Sequence, residues 1–235
     1  MNEVRRFLRY TLPGIACVIQ LLIALSISDL DVVSKLWNDE GAAKGIALVF
    51  GAFIASGGLG YVFSIIYFAL YWDDSIADKV AIDHRTLLES LQNYVELKCS
   101  TGEIIKAESL SKRQAWSIIT QYWHSKTAKN KSIKGLNSIT DRLVDVTHGI
   151  GTTIVGTFIA FATWLLLLFF ISSNSLNLKT FYICLTWFVL LSMMYFNYKR
   201  SLEALQSIAN STLTQVIMED YERIKPEKVT IWFSE

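Results

Sequence analysis

Asp141, Asp145, His148, Thr152, Gly156 and Thr163 follow one another at intervals of 4, 3, 4, 4 and 7 residues. On a helix these positions share one face. Carboxylates and an imidazole that lead into a row of hydroxyls have two physical uses. They line a hydrated path whose acidic mouth favours cations, or they form a polar seam where helices pack, with Asp and His held where water is within reach. Gln20, near the middle of an apolar run, belongs to the same question. An amide in hydrocarbon needs another helix, another subunit or water. The three histidines, His84, His124 and His148, are the weak candidates for a metal or hydrolytic centre. Such a centre would need them to converge, and nothing in their spacing requires it. HExxH, a nucleophile-elbow serine and a phosphate-cradling glycine loop are all missing from the sequence. No catalytic residue, bound metal or cofactor is therefore expected.

The elements that must position these residues are legible from where charge is excluded. The chain has 235 residues with 22 Lys and Arg and 21 Asp and Glu, yet 10–28, 45–72, 149–178 and 180–198 contain none of them. A hydrocarbon core about 30 Å thick needs roughly 20 apolar residues of helix. The expectation is an all-α integral membrane protein with four spans, at 10–28, 45–72, 149–172 and 180–198. An arm (1–9), an outer loop (29–44), a helical domain (73–148), an outer turn (173–179) and a helical tail (199–235) complete it. The run after Arg5, Arg6 and Arg9 is long for a signal sequence and holds Pro13 near its start, so it reads as a retained first span.

Basic residues orient the spans. Arm, long loop and tail together hold all but three of the 22, the exceptions being Lys35, Lys44 and Lys179. Both termini and the 73–148 segment are therefore expected on the cytoplasmic side of an inner (plasma) membrane. A net charge of +1 argues against direct nucleic-acid binding, which wants a basic field. Cys17, Cys99 and Cys184 form no CxxC.

Within the spans, Ala52, Ser56, Gly60 and Ser64 recur every four residues, a ridge that lets helix backbones approach closely. Between spans two and three, Leu87, Leu88, Leu91, Tyr94 and Val95 suggest a helix over 84–97 that breaks at Thr101-Gly102. Ser111 and Gln114 resemble a capping box. The helix that follows carries Trp116, Tyr122 and Trp123, either as core or as a partner face. The last span runs on as an amphipathic helix to Pro226, and 228–233 reads as a short β element. These cytoplasmic stripes bury each other in a compact domain built from loop and tail.

The layout is similar to that of small multi-span proteins of bacterial anti-phage systems, which act as effectors or as sensors for a cytoplasmic partner. The resemblance implies a membrane effector or sensor. The expected function is a homo-oligomeric inner-membrane channel or membrane-perturbing effector under cytoplasmic control, its partners being the lipid bilayer, copies of itself, and a soluble cytoplasmic partner or small ligand. The alternatives are a membrane sensor or scaffold that recruits a soluble protein, and an interfacial membrane enzyme.

Overall fold

The computed structural model describes residues 3, 7–28, 41–73, 82–127, 131–171, 178–225 and 227–233. The expected outer loop (from 29 to 40) and outer turn (to 177) lie outside the described residues, as does most of the N-terminal arm. A π-helical turn, Phe7–Thr11, leads into α1 (Leu12–Ile27). Then come α2 (Gly41–Tyr71), α3 (Arg85–Ser90), β1 (Val95–Cys99), β2 (Ile104–Ile105) and α4 (Lys112–Thr127). Two very long helices follow, α5 (Lys131–Ile171) and α6 (Leu178–Ile224), and β3 (Val229–Phe233) closes the order.

The length of α5 and α6 has a simple cause. The chain has two prolines, and neither interrupts these segments: Pro13 sits in the first turn of α1, where its missing N–H costs nothing, and Pro226 follows α6. Among the described residues, three helices are long and apolar enough to cross a membrane, within Arg9–Ile27, Thr140–Phe170 and Leu178–Ile224. The described apolar part of α2, Ala55–Tyr71, is shorter.

The chain divides into two compact units. The first comprises residues 1–69 and 145–200; the second comprises 70–144 and 201–235. The core of the first is built from Cys17, Ala24, Leu25, Phe63, Ala160, Trp164, Leu168, Ile183 and Trp187. Trp164 is fully buried, stacks near Phe161 and Trp187, and donates its indole N–H to Ser28 Oγ at 2.8 Å. A buried Trp thus keeps its polar edge satisfied while its rings fill the interior.

Missing side chains set the closest approaches in this unit. A Cβ on Gly14 would lie 1.8 Å from the Ser56 carbonyl oxygen, and one on Gly60 would lie 1.6 Å from that of Tyr10. Both obstacles are backbone. Ser56 and Ser64 are buried, and Ala52 is half-buried. Gly57 and Gly58, beside them in sequence, face open space.

The second unit corrects the all-helical expectation. It holds a three-stranded sheet in the order β2-β1-β3, with β1 antiparallel to β2 and parallel to β3. The helix expected over 84–97 stops at Ser90, and the chain enters β1 at Val95. Val95, Leu97 and Cys99 are buried while Glu96 and Lys98 are half-exposed, a period of two that belongs to a strand. The β1–β2 hairpin needs Gly102, whose φ of +88° suits only a residue without a Cβ. Ser111 and Gln114 do form the reciprocal cap of α4: Gln114 N–H donates to Ser111 Oγ at 3.2 Å, and Ser111 N–H to Gln114 Oε1 at 2.9 Å. One sheet face packs with α3, α4 and the last turns of α6 in a core that includes Leu88, Ile118, Ile119, Leu213, Ile217 and Ile231.

The glycine contacts make a sharp prediction. Gly14→Ala and Gly60→Ala should each lower the thermal stability of the purified protein by about 1–3 kcal/mol or more, because backbone cannot yield as a side chain can. Gly57→Ala and Gly58→Ala should be neutral or raise it by up to about 1 kcal/mol through helix propensity. Equal effects at all four positions would contradict the packing described.

Candidate functional site

Two residues of the polar face read from the sequence, Asp145 and His148, belong to a buried cluster in the first unit. Asp145, on α5, is almost completely buried, and its Oδ1 lies 2.7 Å from a terminal guanidinium nitrogen of Arg9, in the turn that precedes α1. His148 stands three residues further along α5. Its Nδ1 is 2.9 Å from the hydroxyl of Tyr67, on α2, and that hydroxyl is 3.0 Å from the hydroxyl of Tyr198, on α6. Tyr67 and Tyr198 are both buried. One assignment satisfies this chain: Tyr198 donates to Tyr67, Tyr67 donates to Nδ1, and the imidazole proton sits on Nε2. The ring of Phe68 lies 4.9 Å from that of His148 and walls the cluster with apolar surface.

The local sequence explains why the site can exist. Gly151 follows His148 by three residues, and a Cβ there would stand 2.2 Å from the Tyr67 ring. Gly156 makes room for Phe63 in the same way, at 2.9 Å. The glycines of α5 are the sockets for aromatic side chains of α2. Thr152 is buried and returns its hydroxyl to the His148 carbonyl at 2.8 Å, so it presents no free donor to a path. Thr163 is half-buried, further along α5, and Asp141 is half-exposed in the second unit. Gln20 is half-buried, and its Oε1 has no hydrogen-bond partner among the described residues.

Arg9, Tyr67 and Tyr198 were not singled out by sequence as site residues. Arg9 counted only towards orientation, and Tyr67 and Tyr198 drew no reading of their own. A signal existed: an Asp and a His that lead into an apolar helix demand polar partners once they are buried.

The second unit treats its polar residues as ties within its core. Tyr122 is buried and donates to Asp220 Oδ2 at 2.6 Å; Lys126 reaches the same oxygen at 2.5 Å. Burial pushes the Tyr122 hydroxyl well above its ordinary range, so it remains a donor. Tyr122 therefore belongs to the core, with Trp123 packed at its edge, while Trp116 is 41% exposed and lies 5.2 Å from Trp72. The three do not make a single partner face. Among the histidines, His84 is buried with Asn210 as its polar neighbour, and His124 is exposed. Among the described residues, no three His, Cys, Asp or Glu stand close enough to hold a metal. Cys17, Cys99 and Cys184 are all free.

No known protein family matches the chain, and no curated protein and no solved structure is similar to it.

Two predictions follow from these environments. Asp145→Ala leaves the Arg9 guanidinium without its counter-charge and should cost about 3–5 kcal/mol of stability, whereas the double change Arg9→Met with Asp145→Leu should recover most of the loss. Additive losses in that cycle, measured by thermal unfolding in detergent, would show that the pair is not coupled.

His84 makes stability depend on pH. Burial pushes its imidazole down from 6.5 to about 4. The unfolded chain therefore takes up the proton first. The stability from a neutral His84 is fully present above pH 6.5 and is lost as pH falls towards 4, by up to about 3 kcal/mol. His84→Gln should flatten that part of the unfolding profile. An unchanged slope between pH 6.5 and 4 would refute the assignment.

Proposed function

We propose that the chain is a four-span, homo-oligomeric inner-membrane protein whose membrane part changes permeability under control of a cytoplasmic second unit. In this reading α1, the apolar run of α2, and the apolar parts of α5 and α6 cross the bilayer, and both termini face the cytoplasm. The observation that carries it is the buried Arg9–Asp145 pair beside the Tyr67–His148–Tyr198 chain. Ionised groups among apolar helices are expensive and are retained where function uses them. The described arrangement is then the closed one. Asp145 and His148, read from sequence as the acidic mouth, are held by Arg9 and Tyr67. Opening would release them towards water, with Thr152, Thr163 and Gln20 along the path. The chain passes between its units three times, each time inside a helix: near the end of α2, in α5 and in α6. A change in the second unit therefore has covalent, helical routes to the cluster. A role as an effector of bacterial anti-phage defence fits this reading.

The test is ion flux in sealed vesicles that contain the purified protein. Asp145→Asn should weaken the hold on Arg9 and raise the leak of small cations at least about tenfold over the wild-type chain, if the pair is worth 1.4 kcal/mol or more to the closed state. Vesicles that stay tight with both proteins would remove the permeability reading.

One observation favours a second reading, a membrane-anchored sensor or scaffold. The second unit has its own core and sheet, so it is an independent body for protein contact. Stoichiometric retention of one soluble protein by the purified chain, with no flux, would favour this reading.

A further inference from the structure

The two edges of the small sheet are built differently. The β2 edge is two residues long and is followed at once by Lys106 and a 3-10 turn. Short edges and edge lysines prevent strand addition. The β3 edge has five residues, Val-Thr-Ile-Trp-Phe, with no charge, no glycine and no proline. Its side chains alternate: Val229 and Ile231 are buried in the core, Thr230 is exposed, and Trp232 is 58% exposed.

The ladder decides which backbone groups point outward. Strand β3 runs parallel to β1, with Val95 opposite Val229 and Leu97 opposite Ile231. Val229 N–H donates to the Tyr94 carbonyl at 2.9 Å. Alternate residues of a parallel strand bond to one side, so Val229 and Ile231 face β1, and the N–H and C=O groups of Thr230 and Trp232 face away from it. Among the described residues nothing pairs with that outer edge.

We propose that this edge pairs with β3 of a second copy of the chain, antiparallel, across a two-fold axis at Ile231. The outward-facing residues are spaced by two. A half-turn about Ile231 therefore sets Thr230 against the second copy's Trp232, and each exchanges both backbone hydrogen bonds with the other. The side-chain pairing is a small residue beside a large one, on the open face of the sheet. On that face the neighbours from β1 are Glu96 and Lys98, which already pair with each other at 2.7 Å. With no charge in the strand, placing it against its own copy brings no like-charge repulsion. An isologous contact needs only one self-complementary patch. The pairing depends neither on the membrane reading nor on flux.

The experiment uses the full chain in membranes. Thr230→Cys and Trp232→Cys chains, co-expressed with distinguishable tags, should form a covalent dimer on mild oxidation. In this register the two positions are a bonded pair about 5.5 Å apart at Cα, within disulfide reach, while 230 against 230 and 232 against 232 are only diagonal neighbours. The mixed product should exceed that from either chain alone at least about tenfold. The wild-type chain controls for Cys17, Cys99 and Cys184. Hydrogen exchange on the purified protein gives an independent reading. The outward Thr230 and Trp232 amides should be protected, and Trp232→Lys should remove that protection while the inward Val229 and Ile231 amides keep theirs. Cross-linking no greater in the mixture than in the parents, or free exchange at both outward amides, would overturn the proposal. Pairing seen only when another protein is added would overturn it too, because the edge would then belong to a different partner. Tight vesicles with a cross-linked dimer would sink the permeability reading and leave this one standing.

Discussion

A carboxylate buried among apolar helices is the constraint around which the first unit is organised. Moving such an ion out of water costs several kcal/mol even after relaxation, and the cost is recovered only beside a cation of good geometry. Asp145 meets that condition through Arg9, in the π-helical turn that runs directly into α1. The pair thus fixes where α1 begins relative to α5. His148, one turn on, extends the demand. Its Nδ1 lies within hydrogen-bond reach of the Tyr67 hydroxyl, which in turn lies within reach of the Tyr198 hydroxyl. Three polar contacts link the start of α1 with α2, α5 and α6. In an apolar solvent such contacts specify an arrangement that non-directional packing would leave open.

Directional contacts at hydrogen-bond distance demand close backbones. That demand is met by omission of side chains at Gly14, Gly60, Gly151 and Gly156. The first two admit carbonyl oxygens of the facing helix; the last two admit the rings of Tyr67 and Phe63. Small residue and large partner are therefore two halves of one device: the glycines of α5 are spaced so that consecutive aromatics of α2, four residues apart, each find a socket. Gly57 and Gly58 of α2 serve no such contact.

The apolar segments were legible because hydrocarbon excludes charge almost absolutely, and the 41-residue and 47-residue helices contain the runs identified from that exclusion. The polar face of α5 was legible because a helix preserves its period. Its partners were not, since Arg9, Tyr67 and Tyr198 are distant in sequence and carry no periodic mark. The sheet was half legible. Residues 229–233 are strongly β-forming, and β3 lies within the segment read as a strand. Over 84–97, by contrast, Leu87, Leu88, Leu91, Tyr94 and Val95 fit a helical stripe, yet the chain turns after Leu91: Tyr94 and Val95 both donate to the Leu91 carbonyl, at 2.8 and 2.9 Å, and the strand begins. The alternation Val95, Leu97, Cys99 was present in the sequence. A short apolar run satisfies both periods, and β3, its distant partner, decided between them.

That partner also dictates when the second unit can close. Strand β1 is the middle of the sheet, and one of its two neighbours is β3. Lys228 Nζ reaches the Gln92 carbonyl across 136 residues of sequence, and Val229 donates to Tyr94 beside it. Between these segments lie the apolar lengths of α5 and α6. The core of the unit likewise takes Leu213, Val216 and Ile217 from the end of α6. Residues 82–127 alone thus lack a strand and one wall of their own core. Loop-closure entropy must be met before such distant contacts form. Helices that fold back on each other early meet part of it, because they bring the ends of a long loop together before the sheet zips. Each unit nevertheless keeps a separate core. A signal that loosens α6 would act on a helix that serves both cores, through Ile183 and Trp187 in one and Leu213, Val216 and Ile217 in the other.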